Sequence, residues 1–141
     1  MTRKSSLQYQ SLLATTLAAW LCNALLGVAC AAEPAKVTPL MKKDVAGAAD
    51  KEVLMSTVEY LPGGASMPHR HDANVFVYVL EGSLIMQVDG HEVVTLKPGD
   101  TFYEGPDDIH RVSANASKTE PVKFLVFMVK DKDKPPTRPV N

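Results

Sequence analysis

The chain has 141 residues and a formal net charge of −1, which is material for one domain. No basic patch interleaves with aromatic residues, so nucleic-acid binding is not expected. Two cysteines are too few for a scaffold built on disulfides.

The chain opens with Arg3 and Lys4, then an apolar stretch from about Leu12 to Ala29, then small residues before Glu33 and Pro34. This is the pattern of a secretory signal peptide over residues 1–32. Ala29-Cys30-Ala31 offers an A-x-A cleavage site, and cleavage after Ala32 also fits. One alternative is a membrane anchor, for which the apolar stretch is of marginal length. Another is lipidation at Cys30, for which Gly27, three places earlier, is a poor match. The expectation is a periplasmic or secreted protein without a stable membrane span. Cys22 and Cys30 both fall in the leader, so cleavage would remove every thiol.

Residues 33–52 are rich in Ala, Lys and Pro without a clear period, and read as an N-terminal arm, either a tether or an edge segment. From Val53 short runs of strand formers alternate with turn signals. The runs are EVLMSTVEYL, VFVYVL, SLIMQV, HEVVTL, TFYEG, IHRVSA and PVKFLVFMVK. Pro62-Gly63-Gly64, Glu81-Gly82, Asp89-Gly90, Pro98-Gly99 and Pro106-Asp107 punctuate them. Asp89-Gly90 is a strong two-residue hairpin signal. Residues 53–130 thus predict an all-β domain of seven strands, a sandwich or small barrel. Residues 131–141 read as a flexible C-terminal tail. The strand VKFLVFMV is apolar on both faces and calls for cover on both. A dimer interface or barrel closure would supply that cover, and the unprotected edges of a small sheet make a homodimer the expectation.

Two of the four histidines, His69 and His71, stand one residue apart just before a strand. On an extended segment they face the same side, with Arg70 facing away. His110 lies on a later strand, which antiparallel pairing would bring alongside. Three neutral imidazoles suit a divalent metal ion such as Fe, Zn, Ni, Mn or Cu and leave positions open for water or substrate. The plainer alternative is a polar pocket in which the histidines bond to one another and to water. His91 follows the Asp89-Gly90 turn and reads as a surface residue.

These residues resemble the two sequence motifs of the cupin superfamily, in its small single-domain bacterial form. Gly63, His69, His71 and Gly82 match the first motif. Its glutamate would fall at position 75, which is Val75. Gly90 and the segment LKPGDTFYEGPDDIHRVSAN resemble the second, with His110 as the third metal-binding histidine and Asn115 displaced by one place. The resemblance implies a double-stranded β-helix, or jelly-roll, closed as a barrel. It implies a metal centre of His69, His71 and His110 without a protein carboxylate, so that the ion keeps its charge and attracts anionic ligands. Asp72 and Asp108, the nearest acidic residues by sequence, are expected in adjoining loops. By motif position Tyr78 and Gln87 are the nearest polar neighbours, although the parity of Tyr78 turns it outward. Met86 and Val88 have inward parity.

Two functions follow as expectations. One is an Fe-dependent oxygenase, or a related enzyme acting on a small molecule with an anionic group. The other is a non-catalytic periplasmic binding or stress-related protein. With no readable serine–histidine–acid set and no thiol after cleavage, covalent catalysis is not expected.

Overall fold

The computed structural model describes residues 35–140, so the leader, its cleavage site and both cysteines lie outside the described residues. Ten strands follow in order: β1 (Lys36–Val45), β2 (Ala48–Tyr60), β3 (His69–Arg70), β4 (Ala73–Glu81), β5 (Leu84–Val88), β6 (Val94–Leu96), β7 (Thr101–Glu104), β8 (Ile109–Asn115), β9 (Val122–Asp131) and β10 (Arg138–Pro139). There is no helix among the described residues, and hence none long and apolar enough to cross a membrane.

The strands form two antiparallel five-stranded sheets, in the orders β1-β2-β9-β4-β7 and β10-β3-β8-β5-β6. This corrects the closed barrel expected from the sequence. Closure needs an unbroken hydrogen-bond ladder around the circumference, and here β1, β7, β10 and β6 are each paired on one side only. The short strands explain the openness: β3 and β10 have two residues each and β6 three, too little backbone to bridge from one sheet to the other.

Three strands add to the seven read from the sequence. The arm supplies β1, an edge strand with a register shift at Pro39, where an edge tolerates proline. The two residues of β3 hold the first histidine. The tail supplies β10, which pairs with β3 through Arg138↔Arg70 and Pro139↔His69.

The period-two alternation of the strands sets the interior. On β4 the odd residues Ala73, Val75, Val77 and Val79 are buried, and the even ones from Phe76 to Leu80 are exposed. Register joins these inner residues into cross-strand rows. Val58, Phe124 and Val79 form one row, and Ser56, Val126 and Val77 the next. A third runs through Leu54, Met128, Val75 and, on β7, Glu104. The fourth holds Glu52, Lys130 and Ala73, and its ammonium and carboxylate meet at 2.7 Å. Lys130, and then Lys42, hold the Glu52 carboxyl below the usual carboxylate range. Outside the same sheet, Phe76, Tyr78 and Tyr103 remain exposed near Phe127.

Gly82, between β4 and β5, has φ 76°. A Cβ there would stand 2.4 Å from the Pro121 carbonyl oxygen and 2.9 Å from Val122 Cα. Both obstacles are backbone. Gly90 has a similar φ of 78° but nothing within 4 Å of an added Cβ. Gly82→Ala should therefore destabilise the fold by more than ~1 kcal/mol, and by clearly more than Gly90→Ala. Denaturant unfolding of the two variants checks this, and equal losses would mean that the Pro121 contact relaxes freely.

Candidate metal centre

The three histidines reach one point between the sheets. β3 pairs with β8 so that His69 stands directly opposite His110, and both side chains emerge on the same face. His71 follows β3 by one residue on the same parity. One ligand atom from each of the three lies within 4.8 Å of the other two. His71 and His110 are buried, and His69 is half-buried. Burial, more than any other influence, pushes the His69 pKa below the ordinary histidine value.

Backbone carbonyls orient two of the rings. His69 Nδ1 lies 2.8 Å from the Met67 carbonyl oxygen, and His71 Nδ1 lies 2.6 Å from that of Pro136. A carbonyl only accepts, so each Nδ1 donates, and each Nε2 is left with a lone pair. Those two Nε2 atoms face each other at 3.1 Å. With both rings neutral, two lone pairs at that distance repel unless a proton or a metal ion lies between them. His110 makes the same demand in another way: both its ring nitrogens are buried and neither has a hydrogen-bond partner in the protein. The donor set therefore fits a divalent metal ion. Carbonyl-tethered imidazoles offering a free nitrogen are the usual arrangement for metal-ligating histidine.

The tail takes part in this centre. Besides the Pro136 carbonyl, Thr137 Oγ1 lies 3.4 Å from His71 Nδ1, and Arg138 pairs with Asp72 at 2.6 Å. Asp72 is thus turned to the tail, while Asp108 caps its own turn by accepting from Gly105 N at 2.7 Å. Asn115, near the asparagine position of the second motif, touches no histidine. It donates to the Leu61 and Glu120 carbonyls and accepts from Ser117 N, tying the end of β8 to the end of β2. His91 is exposed on the β5–β6 turn, as its sequence position suggested.

An acidic neighbour exists where none was expected. Glu104, 2% exposed, places Oε2 3.1 Å from His110 Nδ1 and 3.9 Å from His71 Nε2. It was missed because it lies far from the paired histidines in sequence; a signal was present in its parity on a strand leading into His110. The polar neighbours expected at Tyr78 and Gln87 are elsewhere. Tyr78 is exposed, and Gln87 donates to the His91 carbonyl. The cavity instead holds a buried pair, Tyr60 Oη and Ser113 Oγ, at 2.9 Å. Of the two inward-parity residues on β5, Met86 lines the cavity, and Val88 is buried without lining it.

The cavity beside the histidines has a volume of about 950 Å³. Its walls are mainly apolar, from Leu54, Val58, Val77, Phe124 and Val126 of the first sheet and Met41 of the arm. Such a space accommodates a small organic molecule.

Two changes probe this geometry. His71→Ala should abolish uptake of a divalent ion, whereas His91→Ala should leave it unchanged. Ending the chain before Pro136 removes the acceptor that orients His71 and should weaken metal affinity about 10–100-fold. Chelator-competition titrations measure both effects, and full affinity in the shortened chain would show that the tail does not set the ring.

A cupin domain family model matches residues 56–128. A search of curated proteins finds no match. Among solved structures, a cupin superfamily protein from Desulfitobacterium hafniense superposes with a TM-score of 0.58 at 17% identity, over 71% of this chain and 81% of that one. The DMSP lyase DddQ from Ruegeria pomeroyi gives 0.59 at 22% identity, over 72% of this chain and half of the lyase. The polyketide cyclase RemF from Streptomyces resistomycificus gives 0.59 at 25% identity, over 78% and 73%. The family match spans more than half of the sequence and includes all three histidines, and the chain accordingly belongs to the cupin domain family.

Proposed function

We propose that the protein is a metal-dependent enzyme acting on a small molecule with an apolar body and an anionic or chelating head. The observation that carries this reading is the pair of facing Nε2 atoms of His69 and His71, opening on an apolar cavity. His69, His71 and His110 hold the ion, and iron is the metal proposed. A bound iron centre would supply redox chemistry with dioxygen, making the activity that of an oxygenase. The chain itself binds the apolar body between the sheets. Tyr60 and Ser113 offer hydroxyl groups for orienting the ligand. The fold alone does not choose the reaction, as the differing activities of a lyase and a cyclase on similar scaffolds illustrate.

The second reading is a non-catalytic binding protein, and the nature of the walls favours it. Away from the histidines and Glu104 the lining offers few groups able to transfer protons. Both readings place the protein in the periplasm or outside the cell after removal of residues 1–32. Both also include a homodimer, in which the exposed Phe76, Tyr78 and Tyr103 face supplies apolar contact area.

Elemental analysis of the purified protein, followed by oxygen-electrode assays with candidate carboxylates and diketones, tests the proposal. Iron near one per chain with substrate-dependent oxygen uptake is the expected result. Tight ligand binding with no product over hours would select the binding protein. A monomeric mass by light scattering at micromolar concentration would remove the dimer.

A further inference from the structure

Glu104 has no ordinary reason to be where it is. Its ion-pair partners among the described residues are His71 and His110, with no lysine or arginine in reach. A buried carboxylate without a cation is costly. A structural explanation would have Glu104 orient His110 through a ring N–H hydrogen bond. The contact at 3.1 Å is close enough for this, yet neither nitrogen of His110 makes a hydrogen bond. The oxygen is near the nitrogen but off its donor axis. Two donors that share one ion have this relation. Ligand atoms about 2.1 Å from a common ion sit roughly 3.0–3.4 Å apart when adjacent and about 4.2 Å apart when opposite. The 3.1 Å from Glu104 to His110 and the 3.1 Å between His69 and His71 match adjacent donors, and the 3.9 Å to His71 lies between the adjacent and opposite values.

Register supplies an independent argument. The motif resemblance assigns a glutamate to the position of Val75. Val75 and Glu104 are direct cross-strand partners on the inner face of the first sheet. The Cβ atoms of such a pair are about 4.5–5.5 Å apart. A glutamate side chain rooted on either strand can therefore bring its carboxylate to the same point between the sheets. Val75 is 1% exposed and has no polar atom to offer.

We propose that Glu104 is the fourth protein ligand of the centre, its carboxylate delivered from β7 rather than from β4. The proposal rests on the reading of the three histidines as metal ligands. It changes the character of the centre. One negative charge on three neutral imidazoles leaves a divalent ion with a formal charge of +1, so the pull on anionic ligands is weaker than in a bare three-histidine site. The mixed nitrogen and oxygen set suits Fe, Mn or Zn better than a soft metal. In the presence of Glu104, Val75→Glu sets two like charges opposite each other. With Glu104→Val in the same chain, it moves the ligand back to β4.

Cobalt(II) is the probe, titrated into the full chain against a competing chelator. Glu104→Gln keeps the size of the side chain and should lower affinity by at least about tenfold. The double variant V75E/E104V should recover most of that loss. Glu104→Cys should give a thiolate-to-cobalt charge-transfer band beyond the wild-type spectrum, and His91→Cys should not. Circular dichroism confirms that each variant is folded before titration. Wild-type protein that takes up no cobalt overturns the metal reading and this proposal with it. Wild-type uptake with unchanged affinity in Glu104→Gln, or with no new band in Glu104→Cys, overturns the proposal alone.

Discussion

The facing lone pairs of His69 and His71 are the constraint around which the rest of the molecule is arranged. Each Nδ1 is tied to a carbonyl oxygen, at Met67 and at Pro136, so neither ring can turn away without giving up a short hydrogen bond. The two acceptor nitrogens are thereby held 3.1 Å apart. With both rings neutral and no proton or metal ion between them, this arrangement is repulsive. His110 compounds the demand with two buried nitrogens that lack partners. The fold has prepared a place for positive charge at the expense of its own polar satisfaction, which is how a binding site differs from a core.

That place exists because two sheets bring different contributions to it. The second sheet supplies His69 and His110 as a cross-strand pair and His71 beside them. The first supplies the row that ends in Val75 and Glu104. The short β7–β8 connection, closed by the Asp108 bond to Gly105, carries the chain from one sheet to the other and fixes Glu104 near His110. The sheets remain open along their edges, and the space between them forms the apolar cavity. Side-chain packing rather than a continuous ladder thus holds the walls together. The row of Glu52, Lys130 and Ala73 adds a buried ion pair near the Asp131 end of β9.

Much of this was legible in the sequence. Alternation marked seven strands, and glycine-bearing turns placed their ends, because a side-chain period of two and a positive φ are local properties. The spacing of His69 and His71 put two imidazoles on one face for the same reason. The parity of β4 correctly turned Tyr78 outward. His91 was separable from the other histidines because its neighbours form a hairpin turn. The expectation of a closed barrel was not met, since closure depends on edges that meet in space and on strands long enough to bridge them.

By itself, the sequence determined which strands form, which face each presents, and that three histidines have the parity to converge. These follow from sterics within a few residues. Only the tertiary structure decided what surrounds them. The partner of Val75 is Glu104 because of the register between β4 and β7, which no local pattern specifies. The acceptor for His71 is Pro136, some 65 residues away, in a segment whose composition suggests a loose tail. Its strand β10 forms because β3 offers an unpaired edge to receive it. Contacts between elements distant in the chain depend on the assembled sheets, and there the donors, the cavity and the carboxylate acquire their common geometry.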